Sequence, residues 1–271
     1  MPAKCSASTE GPDPRFDGIA RLYGRQALDW LADSHLCVVG LGGVGSWAAE
    51  ALARSGVGRL TLIEYDRICR SNINRQLHAL ESTCGRKKAE VMAERIQGIH
   101  PGCHCELIDD FVNRDNLRDY LAPGRGYDYV IDAIDSIAFK ALMIHQCRRN
   151  RIPIITTGGA GGRTDPTAIQ VRDLSRTWND PLAAKVRARL RAEHGFSRNP
   201  RRYFGVECVF STQQPVYPRP DGTVDTRKPG IHGVHLDCRY GYGSATFVTA
   251  SFGFVAASRA IHKLLRRRAR G

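Results

Sequence analysis

Short apolar runs alternate with stretches of helical spacing through the first 160 or so residues. His35–Gly40 (HLCVVG) reads as a strand, and Gly42 to about Arg54 as a helix with small residues facing a sheet. Arg59–Glu64 (RLTLIE), Cys105–Ile108, Tyr129–Ala133 and Ile152–Thr156 read as further strands. Lys88–Ile96 is helical, because Ala89, Met92, Ala93 and Ile96 share one face. Phe139–Arg149 is a second such helix. This order predicts an α/β fold: a doubly wound, mostly parallel Rossmann-like sheet.

After Gly162 the pattern changes. Ala168–Val171 and Cys208–Phe210 read as short antiparallel strands, which makes an antiparallel C-terminal extension. Asp180–Arg191 is a basic helix, with Asp180 as cap and Pro181 in the first turn. Arg198–Pro220 and Asp221–Asp237 read as Pro-, Gly- and Arg-rich loops around that second strand, and about Ala245–Arg268 as a last helix. Gly241–Ser258 carries no charge, but its Gly, Ser and Thr content suits a buried loop and helix start better than a lipid-facing span. No repeat and no long linker interrupts the chain. Residues 1–271 therefore read as one domain, with about 1–14 disordered.

The net charge of +13 favours an anionic partner such as nucleic acid, an acidic protein or a lipid surface, against a bland reading of solubility alone. Nine cysteines contain no CxxC pair, which argues against a structural zinc site of the usual spacing. An odd count with no secretory signal fits a reducing cytoplasm. Cys37, inside an apolar strand, reads as a small core hydrophobe.

Candidate chemistry begins at Gly-Leu-Gly-Gly-Val-Gly-Ser, residues 40–46, between a strand and a helix. Gly40, Gly42, Gly43 and Gly45 let a backbone approach phosphate at a helix N-terminus. Glu64 ends the next strand, where a carboxylate can accept hydrogen bonds from ribose hydroxyls. On these residues alone an NAD-dependent oxidoreductase would be the better reading. The run Ser71–Gln76 (SNINRQ) shifts it toward ATP. Asp66, Asn72, Arg75 and Gln76 lie just past the second strand, and Lys88 opens the next helix after Gly85. Arg75 and Lys88 can neutralise a triphosphate and Asn72 can donate to its oxygens. A nicotinamide site needs no such cluster. Asp132 and Asp135, in Val-Ile-Asp-Ala-Ile-Asp-Ser, end another strand. A carboxylate there can hold Mg²⁺ against phosphate, or Asp135 can cap the following helix.

These motifs resemble the ubiquitin-activating-enzyme-like adenylating family, whose members include sulfur-carrier adenylyltransferases. The matching runs are GLGGVGS at 40–46, SNINRQ at 71–76, Gly85 to Lys88, and DAIDS at 132–136. The resemblance implies ATP and Mg²⁺ as cofactors, Asp135 as the metal ligand, and Asn72, Arg75 and Lys88 on the phosphates. It also implies a homodimer in which Arg25, or alternatively Arg21, reaches the partner's site, so that Arg75, Lys88 and Arg25 act in catalysis. Within the family, RFDGIARLYG, SWAAEALARSGVG, NRQLHAL, KAEVMAERI, VIDAIDS, TTGGAGG, DPLAAKVR and CVFST resemble a tRNA-modifying branch over roughly residues 15–265. That branch cyclises threonylcarbamoyladenosine beside the anticodon, through an acyl-adenylate. It implies a tRNA substrate and a cysteine-desulfurase sulfur-acceptor protein as a partner. The absent zinc cysteines and the positive charge agree with that branch. The alternative is activation of a ubiquitin-like sulfur carrier's C-terminus.

Candidate RNA contacts are Arg148, Arg149 and Arg151, Lys185–Arg191, Arg198–Arg202 and Arg266–Arg268, each of which could equally be a solvated face. Tyr203 and Phe204 read either as base-stacking rings or as core. Cys238 is either a thioester-forming or sulfur-accepting cysteine, or incidental.

Overall fold

A computed structural model describes residues 13–227 and 243–270. Seven strands form one sheet in the order β3-β2-β1-β4-β5-β7-β6. They are β1 (His35–Val39), β2 (Arg59–Ile63), β3 (His104–Ile108), β4 (Tyr129–Asp132), β5 (Ile154–Thr157), β6 (Ile169–Asp173) and β7 (Glu207–Ser211). Every pairing is parallel except that of β6 with β7. The expected mostly parallel sheet and its antiparallel extension are both present. Strand order reverses between β1 and β4, which creates the crevice where ligands enter such sheets.

Because successive strand residues point to opposite faces, β1 feeds two cores. Leu36 and Val38 pack on one face with α2 (Arg25–Ala32), α3 (Gly45–Arg54), α4 (Lys88–Ile99) and α8 (Thr246–Arg268). Cys37 and Val39 pack on the other with α5 (Leu117–Tyr120), α6 (Ile137–Arg149) and α7 (Pro181–Glu193). Cys37 is fully buried, and burial pushes its thiol up to about 12, as befits a small core hydrophobe.

Of the uncharged run, residues 243–258 are described and lead into α8, whose Val248, Phe252 and Ala256 are buried against the sheet. A side chain at Gly253 would overlap the Val44 carbonyl oxygen and the Ala48 amide, so glycine lets α8 and α3 touch. Among the described residues no helix is long and apolar enough to cross a membrane. Of the segment read as disordered, residues 1–12 lie outside the described residues. Asp13 is placed, and its side chain accepts the Arg15 N–H to cap a 3-10 turn at Pro14–Phe16.

Several elements have no counterpart in the sequence pattern. Helices α1 (Asp17–Tyr23) and α2 are joined at Gly24, which adopts φ +91°. Their apolar stripe is thin: α1 contributes no buried residue, and α2 only Ala27 and Leu31. Within the stretch read as loop, β8 (Tyr217–Pro218) and β9 (Val224–Asp225) form a small hairpin, too short for any period to register.

Candidate functional site

The glycine turn sits at the C-terminal end of β1. Gly40 donates to the Ile63 carbonyl (2.9 Å) and adopts φ +86°. A side chain there would press on Ile134 and Ala133, and one at Gly45 would overlap the Gly40 carbonyl oxygen. Gly42 has open space at its Cβ position. Gly43 faces the Arg75 stem and Thr249, both 3.3 Å from where a Cβ would lie. The helix begins at Gly45 rather than Gly42, because residues 41–44 are spent on the turn. Three of these glycines therefore have a steric reason, while Gly42 leaves backbone accessible to a ligand.

Glu64 is buried and ties this turn to the next loop. One carboxylate oxygen accepts the Leu41 N–H (2.8 Å); the other accepts those of Tyr65 and Asp66 (both 3.0 Å). A carboxylate offers about four lone-pair sites, so roughly one remains for a ribose hydroxyl.

The run 71–76 is fixed from three sides. Trp47 donates its indole N–H to the Arg75 carbonyl (3.0 Å), and the Leu77 N–H reaches the Ser46 hydroxyl (3.3 Å). From α8, the Thr246 hydroxyl donates to the Asn74 carbonyl (2.5 Å). Asn74 in turn donates to the Ser244 carbonyl (2.7 Å). Arg75 donates to the Ser71 carbonyl and the Asn74 side chain, with no carboxylate in reach among the described residues. Asn72 is buried, and its amide oxygen accepts the Cys69 N–H (3.0 Å). A cleft of about 600 Å³ borders this run, lined in part by Arg70, Asn74, Arg75 and Ser244.

Lys88 is only 5% exposed, and its ammonium meets Asp66 at 2.7 Å. Behind it lies buried His78, whose two ring nitrogens have no partner among the described residues. Burial, and then the Lys88 charge, push His78 down to about 4, so the ring is neutral near pH 7. The buried Gln76 side-chain oxygen also has no partner among the described residues. Gly40, Gly42, Gly43, Gly45, Glu64, Asp66, Asn72, Arg75, Gln76 and Lys88 thus gather around the ends of β1 and β2.

The two aspartates of DAIDS separate. Asp132 is fully buried and bonds the Lys140 ammonium (2.9 Å) and the Thr156 hydroxyl (2.6 Å). Burial pushes its carboxyl up; Lys140 and Thr156 oppose that. These bonds remove Asp132 from metal binding. Asp135 is exposed and makes no hydrogen bond or ion pair among the described residues. The N-cap of α6 is Ser136, so Asp135 does not cap that helix.

Sequence reasoning missed Lys140. Its signal was present: Lys140, Ala141, Ile144 and Cys147 share the buried face of α6, where a lysine needs an acidic partner. It also missed the second role of Asp180. Besides capping α7 through the Ala183 N–H (2.8 Å), that carboxylate accepts the Gly159 N–H (3.0 Å) beyond β5.

Arg25 and Arg21 are exposed and stand apart from this cluster within the chain. Nearby Tyr23 packs edge-on against His262, sixteen residues along α8 from Thr246, or about 24 Å of helix. The basic clusters also separate. Arg267 and Arg268 bond Asp128 at the opposite, N-terminal edge of the sheet. Arg201 and Arg202 are exposed, and Tyr203 is 68% exposed beneath the Arg176 guanidinium, whereas Phe204 is core. Cys238 lies outside the described residues.

The ThiF family matches residues 17–270. The chain is 56% identical to the tRNA threonylcarbamoyladenosine dehydratase of Escherichia coli (strain K12), over 94% of this chain and 95% of that protein. It is 52% identical to the enzyme of the same description from Haemophilus influenzae, over 97% of each. The solved structure of E. coli tRNA N6-threonylcarbamoyladenosine dehydratase in complex with ATP superposes with a TM-score of 0.84. That match has 54% identity and covers 94% of this chain and 96% of that one.

Proposed function

The chain belongs to the ThiF family, and from that premise we infer that it is an ATP-dependent enzyme that dehydrates threonylcarbamoyladenosine beside the tRNA anticodon, closing the modification into its cyclic form. The observation that carries this reading is identity above one half across nearly the full length of two tRNA threonylcarbamoyladenosine dehydratases. The site geometry supports the chemistry.

The threonyl carboxylate attacks the α-phosphorus of ATP. An oxygen–phosphorus bond forms, and pyrophosphate leaves. The carbamoyl group of the same side chain then attacks the activated carbonyl carbon, and AMP departs with the former carboxylate oxygen. The net loss is one water. Both reacting groups belong to one nucleoside, so ring closure is intramolecular and needs no protein nucleophile.

Arg75 and Lys88 neutralise charge that builds on the phosphates, and Asn72 and Gln76 supply amide contacts. Asp66 holds Lys88 in place, and Lys88 acts from a nearly water-free position where its charge is weakly screened. The glycine turn and the α3 N-terminus cradle phosphate, and the lone pair left on Glu64 takes a ribose hydroxyl. Asp135, exposed and unpartnered among the described residues, fits Mg²⁺, which takes one or two carboxylates plus phosphate oxygens. When bound, the ion offsets phosphate charge. Arg25 stands too far away to serve its own chain's site, so a second copy supplies it and the working form is a homodimer. Residues 1–271 act as one adenylating domain, in the cytoplasm where tRNA is modified.

The test incubates the protein with ATP, Mg²⁺ and tRNA carrying the modification, then weighs the digested nucleosides. Loss of one water from that nucleoside is expected; an unchanged mass in the presence of all three overturns the reading.

A further inference from the structure

At the N-terminal end of α7 lies a cavity of about 370 Å³ that the adenylation chemistry does not use. Asn179, Ala184 and Arg187 form one side of it, and Gln214 and Tyr217 line another. Its position is fixed by two contacts. Asp180 binds the Gly159 N–H just past β5, and the Asn179 amide donates to the Thr212 carbonyl (2.9 Å) just past β7. The cavity therefore opens on the same sheet edge as the glycine turn and Asp135. Only β4 separates β1 from β5, so β5 ends about 10 Å from the turn.

Two features of this cavity suit an anionic ligand. Arg187 is half-buried and donates to the Thr177 hydroxyl, yet forms no ion pair among the described residues. Burial, and then the neighbouring Arg191 charge, hold its guanidinium below the usual arginine range. The nearest acid, Asp180, is spent on two backbone N–H groups. A cation left in that state costs free energy that an incoming anion recovers. The second feature is Asn179, held at φ +51° while its carbonyl accepts from Arg163 (2.5 Å). Asparagine adopts this region readily, and what it offers a ligand is the second N–H of its side-chain amide.

Exposed Lys185, one turn below the mouth, adds positive charge beside the cavity, and the tRNA reading above makes RNA the anion.

We propose that this cavity is an RNA-positioning subsite: it seats an anticodon-loop nucleotide adjacent to the reacting one, with that nucleotide's phosphate on Arg187 and its sugar or base edge on the amides of Asn179 and Gln214. The proposal rests on the tRNA reading above and adds where the loop is held. Arg187 is a positioning residue and touches neither ATP nor the reacting carboxylate.

The experiment uses full-length Arg187→Ala with the modified tRNA as probe. It measures kcat and KM separately, tRNA affinity against salt, ATP binding and thermal melting. A charge-assisted contact predicts a rise in tRNA KM of about 10- to 100-fold with kcat nearly unchanged. The slope of log affinity against log salt should fall by about one. ATP binding stays as in wild type, and Arg187→Lys recovers part of the loss. Ala184→Glu, at an exposed helix position on the cavity wall, places a carboxylate there without risk to folding and should weaken tRNA binding in the same way. Wild-type KM and salt slope in folded Arg187→Ala, or in Ala184→Glu, overturn the subsite while leaving the reaction standing. A wild-type protein that binds tRNA through Arg187 but leaves the nucleoside unchanged overturns the reaction and supports the subsite.

Discussion

The two edges of the central sheet treat polar groups differently. At the N-terminal edge a network satisfies most of them, although His100 Nδ1 and the Ser175 hydroxyl have no partner among the described residues. The His35 ring donates to the Thr61 hydroxyl (2.8 Å), and Thr61 donates to Glu106 (2.9 Å). Arg125 then bonds both Glu106 (2.7 Å) and the Tyr127 hydroxyl (3.2 Å). The His35 N–H reaches Asp128 (3.0 Å), which also faces Arg268 (3.4 Å). At the C-terminal edge Asp135, the Gln76 side-chain oxygen and both ring nitrogens of His78 have no partner among the described residues. Arg187 lacks an acid there as well. A buried polar atom without a partner costs about 1–3 kcal/mol, so the Gln76 oxygen and the two His78 nitrogens, close together on one edge, mark capacity reserved for something other than the protein. That concentration agrees with the edge that the glycine turn marks.

Asp132 and Lys140 complicate that division, because they lie at the C-terminal edge and yet saturate each other. They form a layer beneath the working surface, and a substitution separates the two functions. Lys140→Met should leave the Asp132 carboxylate buried without its cation. Removing one partner of such a pair costs about 3–5 kcal/mol, measurable by denaturant unfolding. A loss below about 1 kcal/mol would show that the pair is not holding this edge together, and the division by edges would fail there.

Asp135→Asn tests the upper layer. The group has no partner in the described fold, so unfolding should be unchanged. Cyclisation should fall by about 10²–10³, the loss expected when one stabilising group is removed from developing phosphate charge. Nucleoside mass analysis against Mg²⁺ concentration reads this directly. A large drop in stability with activity per folded molecule intact would reverse the assignments of the two aspartates.

Much of this edge was legible in the sequence, and the reason is local. A strand followed by Gly40–Ser46, and an aspartate at a strand end, fix position through backbone geometry within a few residues. The antiparallel tail and α7 were legible for the same reason, since Asp180-Pro181 is a cap and first turn wherever it occurs. What escaped depends on distant partners. Nothing near Asp132 says that Lys140 and Thr156 will close on it, whereas Asp135 stays open. Nothing in SNINRQ says that Ser244 and Thr246, about 170 residues later, hold Asn74 in place. Helices α1 and α2 escaped because they are short and open without a side-chain cap, so neither offers a start signal. The basic clusters looked alike in sequence, and only the fold shows that Arg187 lines a cavity at the C-terminal edge while Arg268 sits at the other.

The smallest expected effect tests that last point. Arg268 belongs to a basic run at the end of α8 that resembles an RNA contact as much as any other. The fold places it beside Asp128, at the edge away from the nucleotide, at 39% side-chain exposure. An exposed pair of this kind contributes about 0–1 kcal/mol, because water screens it and two long side chains must be ordered to form it. Arg268→Ala should therefore shift unfolding by no more than that. It should also leave tRNA KM unchanged, in contrast to Arg187→Ala. A tRNA KM raised as far by Arg268→Ala as by Arg187→Ala would mean that the RNA grips both edges, for instance by spanning the two copies of a dimer. The unpartnered groups of one edge would then mark the site of chemistry only, and RNA binding would follow charge wherever the fold exposes it.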